Sequence, residues 1–419
     1  MRERQGILQH IDRVTVFLFL ALAVIGWINI YAAVYNEDHS SIFDFSQRYG
    51  KQLIWIFAAI GIALVIIIID ASFFNTFAYL IYGISMISLV AVLVAGTEIA
   101  GSKSWFQFGG VAIQPAEFAK FATCLAVARY LSTFNVSLKR FRTKVIASLI
   151  ILLPAALVFL QNDTGSALVY LAFILVLYRE GLTGNFLITG IAVIFLFVIT
   201  LIIDKLYILG FLVLLAAIIF YFMRRSRKNV LSLIALLLLA AGFVYSVDYA
   251  FENLLEPHQK TRINVLLGKE LDLRGAGYNV HQSKIAIGSG GITGKGFLQG
   301  TQTKYDFVPE QDTDFIFCTI GEEWGYLGSL TLIALFIGLL LRLVKMAERQ
   351  RSNFSRIYGY GVASILFFHF AVNIGMTIGL LPVIGIPLPF ISYGGSSLWA
   401  FTILLFIFIR QDASRFELL

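Results

Sequence analysis

Six carboxylates fall within one polar stretch, HQKTRINVLLGKELDLRGAGYNVHQSKIAIGSGGITGKGFLQGTQTKYDFVPEQDTDF, running from His258 to Phe315: Glu270, Asp272, Asp306, Glu310, Asp312 and Asp314. A carboxylate within hydrogen-bond reach of a hydroxyl can take its proton as a general base. Asp272 stands out by setting, in mid-stretch just ahead of Gly275, Gly277 and Tyr278. By position alone a solvated loop carboxylate describes it as well, and its neighbours qualify equally. Asp312 and Asp314 precede an apolar run, where one of them can simply cap a helix. The glycines at 288, 290, 291, 294, 296 and 300 permit tight turns, yet they do not make a nucleotide site. The pattern GxxxxGK[ST] fails because Gly296 follows Gly294-Lys295 and Ser289 stands five places before Gly294. GxGxxG fails because Gly288 and Gly290 lead to Thr293.

Three further groups carry candidates. In QPAEFAK, Pro115 suits a first helical turn, and the i,i+3 spacing puts Glu117 and Lys120 on one face. Ionisable groups inside a span face the bundle interior or a wet cavity, so the pair reads as a site or as a structural ion pair near the outer boundary. Asp163, in QNDTGSAL, fits a helix N-cap. In NIGMTIGLLPVIGIPLPFISYGGSS, Pro382, Pro387, Pro389, Gly394 and Gly395 interrupt an apolar run, and Ser392, Tyr393, Ser396 and Ser397 make a cavity wall there more plausible than a plain kink.

The elements that must position these residues are membrane helices. Of 419 residues, 58% are hydrophobic and 14% charged, against about 25% charged in soluble domains. Apolar runs near 14–35, 51–70, 73–96, 115–133, 145–160, 165–178, 186–203, 207–222, 230–249, 313–342, 357–381 and 389–410 give an all-α polytopic membrane protein with twelve spans counted, or ten if short runs pair. With the N-terminus inside, cytoplasmic segments hold nineteen Lys and Arg and short outer loops hold four. That bias places both termini in the cytoplasm and the loop at 250–311 outside. The net charge of +7 is spread over these short loops, which argues against nucleic acid. The first run is too long for a cleavable signal. Cys124 and Cys318 sit inside apolar runs, which indicates neither a disulfide framework nor a zinc site. No Pro-, Ser- or Gly-rich linker divides the chain, so residues 1–419 read as one membrane domain. The run Val280–Ile287 suggests an amphipathic helix lying on the membrane.

Two of these stretches carry a family likeness. GAGYNVHQSKIAIGSGGITGKGFLQGTQ, followed by FVPEQDTDFIF and GEEWGYLG, resembles the SEDS family (shape, elongation, division and sporulation). So does NIGMTIGLLPVIGIPLPFISYGGSS, with QPAEFAK as a weaker third match. The GSGG, GKG and GTQ forms resemble the rod-shape branch more than the division branch. The resemblance implies an enzyme of the bacterial cytoplasmic membrane that polymerises lipid II outside it, partnered by a class B penicillin-binding protein. It implies Asp272 as the catalytic acid. Lys120, Arg262 and Lys295 become candidates to meet the pyrophosphate, with Glu117 orienting Lys120. Tyr278, Gln282, Ser283, Asp314, Ser392 and Tyr393 complete the expected substrate contacts. No organic cofactor is implied, and a divalent cation, Mg or Mn, fits the chemistry. The family's Asp-Pro is Asp272-Leu273 here, its usual His is Asp312, and its usual Gly-Ala-x-Arg-Trp is Gly-Ser-Lys-Ser-Trp, ending at Trp105. Lipid tails would need grooves between helices, which the Pro382–Pro389 region can border. A flippase for the lipid-linked precursor, or a non-catalytic scaffold, shares the many spans and buried charge, but neither needs an outer acid.

Overall fold

The structure is a computed structural model and describes residues 10–35, 41–99, 101–108, 111–224, 226–253, 260, 264, 276–305 and 307–416. Backbone groups in lipid must bond internally, so the apolar runs close into helices. In chain order these are α1 (Arg13–Ala33), α2 (Arg48–Ile68), the short α3 (Ala71–Thr76), α4 (Ala78–Ala95), α5 (Pro115–Leu131), α6 (Phe141–Leu160), α7 (Thr164–Leu168) and α8 (Phe173–Arg179). A 3₁₀ turn, Val169–Ala172, joins α7 to α8. Then come α9 (Gly184–Ile202), α10 (Lys205–Phe222), α11 (Arg227–Asn253), α12 (Ala276–Ser289), α13 (Thr301–Lys304), α14 (Ile316–Glu348), α15 (Asn353–Thr377) and α16 (Gly395–Ala413). Among the described residues ten of these are long and apolar enough to cross a membrane. The two remaining apolar runs form the 17-residue α5 and the broken α7–α8 segment.

The chain is not purely helical. Between α4 and α5 a three-stranded antiparallel sheet forms from β1 (Thr97–Ile99), β2 (Ser102–Phe108) and β3 (Val111–Ile113). Gly101, at φ +79°, closes the first turn. Glu98 pairs with Lys103 and Gln107 with Ala112. Lys103 Nζ donates to Val94 O at 3.1 Å, which ties the sheet to the end of α4.

The helices group into two compact units, residues 1–182 with 278–419, and residues 183–277. In the first, α16 packs on α2, α4 on α5, and α15 on both α14 and α5. Side chains from α1, α2, α5, α14, α15 and α16 meet in one large apolar core that includes Phe19, Leu125, Phe336, Tyr358 and Phe408. The second unit contains α9, α10 and α11, whose apolar side chains are mostly exposed, as lipid-facing side chains would be. Lys205 Nζ lies 2.7 Å from Asp248 Oδ2 in this unit.

One end of the first unit is held by ions. Asp12 caps α1 by accepting from Thr15 N at 3.0 Å, and its Oδ2 lies 2.6 Å from Arg342 Nη2 and 3.1 Å from Arg349 Nη2. Arg349 also grips Asp412, which Arg415 Nη1 meets at 2.7 Å. Burial alone would raise the Asp12 carboxyl, but hydrogen bonds from Arg342 and Thr15 outweigh it and hold the group well below its ordinary 3.8. A depressed carboxyl contributes stability above its unfolded value that is lost as pH falls through the folded one. At pH 7, Asp12→Asn is therefore expected to cost roughly 1.5–3 kcal/mol, the range for hydrogen bonds to charged groups. Thermal unfolding in detergent should show the wild-type lead shrinking as pH drops below 3.8. A lead unchanged at pH 3 would refute this.

Candidate functional site

The segment between α15 and α16 folds back into the bundle. Asn373, one turn inside α15, donates to Ile386 O at 2.7 Å and to Asp314 O at 2.8 Å. His369, a further turn in, meets Pro387 O through Nδ1 at 3.1 Å. His369 is eight residues before Thr377, so the segment reaches about 12 Å along the helix. Prolines suit this course because they need no backbone donor. Ser392 Oγ donates to Thr313 O at 2.6 Å and accepts from Leu388 N at 2.8 Å. Gly165 lets the α7 backbone approach, since a Cβ there would sit 2.6 Å from Ile384 O.

Beneath this segment lies the Glu117–Lys120 pair. Lys120 Nζ is 2.7 Å from Glu117 Oε1, with both side chains almost wholly buried. It is also 3.0 Å from His369 Nε2 and 5.3 Å from the centre of the Phe401 ring. A carbonyl only accepts, so Pro387 O fixes the hydrogen on Nδ1 and leaves Nε2 to accept from Lys120. His369 thus joins the ion pair to the folded-back segment. Reasoning from the sequence passed over this histidine, although an ionisable residue inside the apolar run ILFFHFAV was the available signal.

Beside this segment, Arg48 Nη1 lies 2.8 Å from both oxygens of Asp312 and its guanidinium 5.7 Å from the Tyr393 ring centre. Tyr393 in turn packs on Trp55, 5.0 Å between ring centres, and its N–H donates to Asp312 O. Asp312 therefore anchors an arginine; it caps no helix, and neither does Asp314, since Phe315 is the N-cap of α14. Half of the Arg48 side chain is exposed while Asp312 is buried. Sequence reasoning counted Arg48 only as a topology charge. Asp163 does cap α7, accepting from Ser166 N at 3.0 Å, and also accepts from Gln114 Nε2 at 2.6 Å.

The glycine-rich loop is a clamp over the start of α14. Glu322 Oε1 accepts from Lys295 Nζ at 2.6 Å, Thr301 N at 2.8 Å and Gln302 N at 3.0 Å, while Oε2 accepts from Thr303 N at 3.0 Å. A buried carboxylate thus sits at the N-terminus of α13, where the exposed N–H groups favour it. Lys295, expected at the substrate, is committed to this acid. Gly294 has φ +83°, and a Cβ on it would lie 2.0 Å from Glu323 O; Gly291 has φ +58° but open space around it. Gly291→Ala should cost about 1–2 kcal/mol for the left-handed backbone alone. Gly294→Ala adds overpacking of about 1–3 kcal/mol against a backbone that cannot yield. Thermal unfolding should rank them in that order, and equal losses would contradict the clamp.

The remaining expected residues divide. Ser283 is buried and donates to Thr377 O at 2.9 Å, while Tyr278 and Gln282, on the same helix α12, are half-buried. That helix is longer than expected, and Ala286, with Val280 and Ile287, packs on Val308, Phe315 and Cys318, while Ile285 stays exposed. Asp314 has its Oδ2 3.2 Å from where a Cβ on Gly385 would stand. Asp272 and Arg262 lie outside the described residues. No group of three or more His, Cys, Asp or Glu is arranged for a metal among those described.

The fold and these features define a polytopic helical membrane protein with a proline-bearing, folded-back segment packed among its helices. The chain belongs to the FtsW/RodA/SpoVE cell cycle protein family, whose model matches residues 12–210 and 188–416. It is 33% identical over 413 residues to the peptidoglycan glycosyltransferase RodA of Treponema pallidum, covering 93% of this chain and 94% of that one. It is 33% identical to the peptidoglycan glycosyltransferase MrdB of Escherichia coli K12, covering 93% and 90%. A solved chain from a peptidoglycan synthase complex that coordinates polymerization and crosslinking matches with TM-score 0.72 at 27% identity, covering 97% of this chain and 99% of that one.

Proposed function

We propose that this protein is a peptidoglycan glycosyltransferase that polymerises lipid II into glycan strands during cell elongation. The observation that carries this reading is the near full-length match, at 33% identity, to enzymes so named. The acceptor sugar hydroxyl is a poor nucleophile at neutral pH, and Asp272 takes its proton as it attacks the donor's anomeric carbon. The leaving lipid pyrophosphate gathers negative charge, which fixed cations stabilise. Arg262 suits that role, as does Arg48, which is paired with Asp312 yet keeps half of its side chain exposed; Lys120 and Lys295 are paired with Glu117 and Glu322 and are more enclosed. Tyr278 and Gln282, four residues apart on α12, share a helix face and offer sugar contacts. Asp314 borders the folded-back segment and Tyr393 lies within it, while Ser283 and Ser392 position backbone. No step is assigned to a divalent cation, because the described residues offer no ready donor set for one.

The match to a synthase-complex chain supports a class B penicillin-binding protein as partner. Charge bias supports an inner-membrane placement with cytoplasmic termini. The ion network at Asp12, Arg342 and Asp412 then lies at the cytoplasmic end and the folded-back segment at the outer end. The test uses proteoliposomes bearing the purified protein, its transpeptidase partner and labelled lipid II facing outward. Glycan polymer is the expected product; lipid II crossing the bilayer without polymer would overturn the reading in favour of a flippase.

A further inference from the structure

The turn between α5 and α6 concentrates positive charge, with Lys139, Arg140, Arg142 and Lys144 in the run LKRFRTK. The turn is well anchored. Asn135, at φ +62°, redirects the chain, and Arg140 Nη1 donates to Asn135 O at 3.2 Å. Leu138 is buried in the apolar core, and Thr143 and Ala147 are buried on one face of α6. Lys139, Arg140 and Arg142 are left exposed. Arg129, in the last turn of α5, donates to Asn75 Oδ1 of α3 at 3.0 Å. Arg410, near the end of α16, donates to Ile69 O just ahead of α3. The turn therefore lies at the same end of the bundle as the network of Asp12, Arg349 and Asp412.

The basic residues at this end divide into two groups. Arg179, Arg342, Arg349, Arg356 and Arg415 each meet a carboxylate. Among the described residues, Lys139, Arg140 and Arg142 meet none. The first turn of α6 also holds no acidic residue, and cations there oppose the helix dipole. This charge is therefore not neutralised within the described protein. Beside it, Phe134 is 90% and Phe141 80% exposed. Phe141 begins a stripe of exposed side chains along α6 that continues at helical spacing through Val145, Leu149 and Leu152. A Lys and Arg cluster bordering a span attracts anionic headgroups. The exposed rings favour a bilayer over a soluble acidic partner, because burying them takes an apolar volume.

We propose that Lys139, Arg140 and Arg142 form a docking surface for anionic phospholipid headgroups in the leaflet bordering the chain termini, with Phe134 and Phe141 seated among the lipids. Charge complementarity selects the headgroup, and the stripe on α6 lies along its acyl chains. The surface is at the opposite end of the helices from the folded-back segment, so it is separate from the proposed catalytic region.

The test reconstitutes full-length Phe134→Trp in vesicles of equal phosphatidylglycerol and phosphatidylcholine, with bromine carried by one lipid or by the other. Quenching of the added tryptophan is read over the wild-type background. Brominated phosphatidylglycerol is expected to quench more strongly, by about tenfold in relative affinity. Each cation near the surface is worth about fivefold, so adding Arg142→Gln should lower the preference by that factor. Lys139→Gln/Arg140→Gln/Arg142→Gln should bring it near one, and the single variant decides the matter if the triple one inserts poorly. Raising the salt to about 1 M should act like the triple variant. Three results would overturn the proposal: equal quenching by the two lipids, a preference unchanged by these substitutions, or quenching by neither lipid, which would give the surface to a soluble partner. No arm reads polymerisation, so the outcome is independent of the proposed activity.

Discussion

Replacing Asp272 with Asn is expected to slow lipid II polymerisation by about 10²–10⁴-fold, the usual worth of a positioned general base. Asn keeps the size and hydrogen-bonding shape but cannot take a proton. Other acids are poorer choices because each is already held by a partner. Asp312 is held by Arg48, Glu117 by Lys120, and Asp163 by Gln114 and the α7 backbone. Glu322 accepts three backbone N–H groups and a lysine. A base needs a free lone pair facing the substrate, and these carboxylates are committed to holding structure. The loss should fall on kcat, with KM for lipid II little changed, and thermal unfolding should match the wild type. Asp272→Glu should keep part of the activity. An Asn variant that makes strands at the wild-type rate would remove Asp272 from the mechanism.

The helices were legible because lipid leaves the backbone no alternative, and most of the apolar runs are long enough to show it. The sheet Thr97–Ile113 was not, since SKSWFQF is too short a stretch for its alternation to compete with adjoining apolar runs. Glu117 with Lys120 was visible from spacing alone, because both lie on one helix. His369 completes that group from 249 positions away, and no local pattern encodes such a contact. Lys295 shows the opposite failure. The family resemblance made it a candidate to meet the pyrophosphate, yet it pairs with Glu322, and Gly290 and Gly294 are small because the loop backbone presses on Gly321 and Glu323. Arg48 was hidden by its own plain reading as an interfacial charge before a span.

Lys120→Met should destabilise the protein by about 3–5 kcal/mol, the cost of leaving one buried charge without its partner. Glu117 would stay at membrane depth with only orphaned oxygens, since Oε2 already lacks a partner. The double variant Glu117→Gln/Lys120→Met removes the uncompensated charge, and it should recover at least half of the lost stability. Polymerisation then separates two roles. A pair that only supports the folded-back segment returns activity together with stability. If the Lys120 charge itself acts on the pyrophosphate, stability returns and polymerisation does not. The geometry favours the first outcome: Lys120 is enclosed by Glu117, His369 and Phe401, and its link to Pro387 runs through the imidazole. His369→Gln tests that link, because its side-chain oxygen can still accept from Lys120 while the donor to Pro387 is lost. It should weaken polymerisation more than it lowers the unfolding temperature, and equal, small effects on both would sever the ion pair from the segment above it.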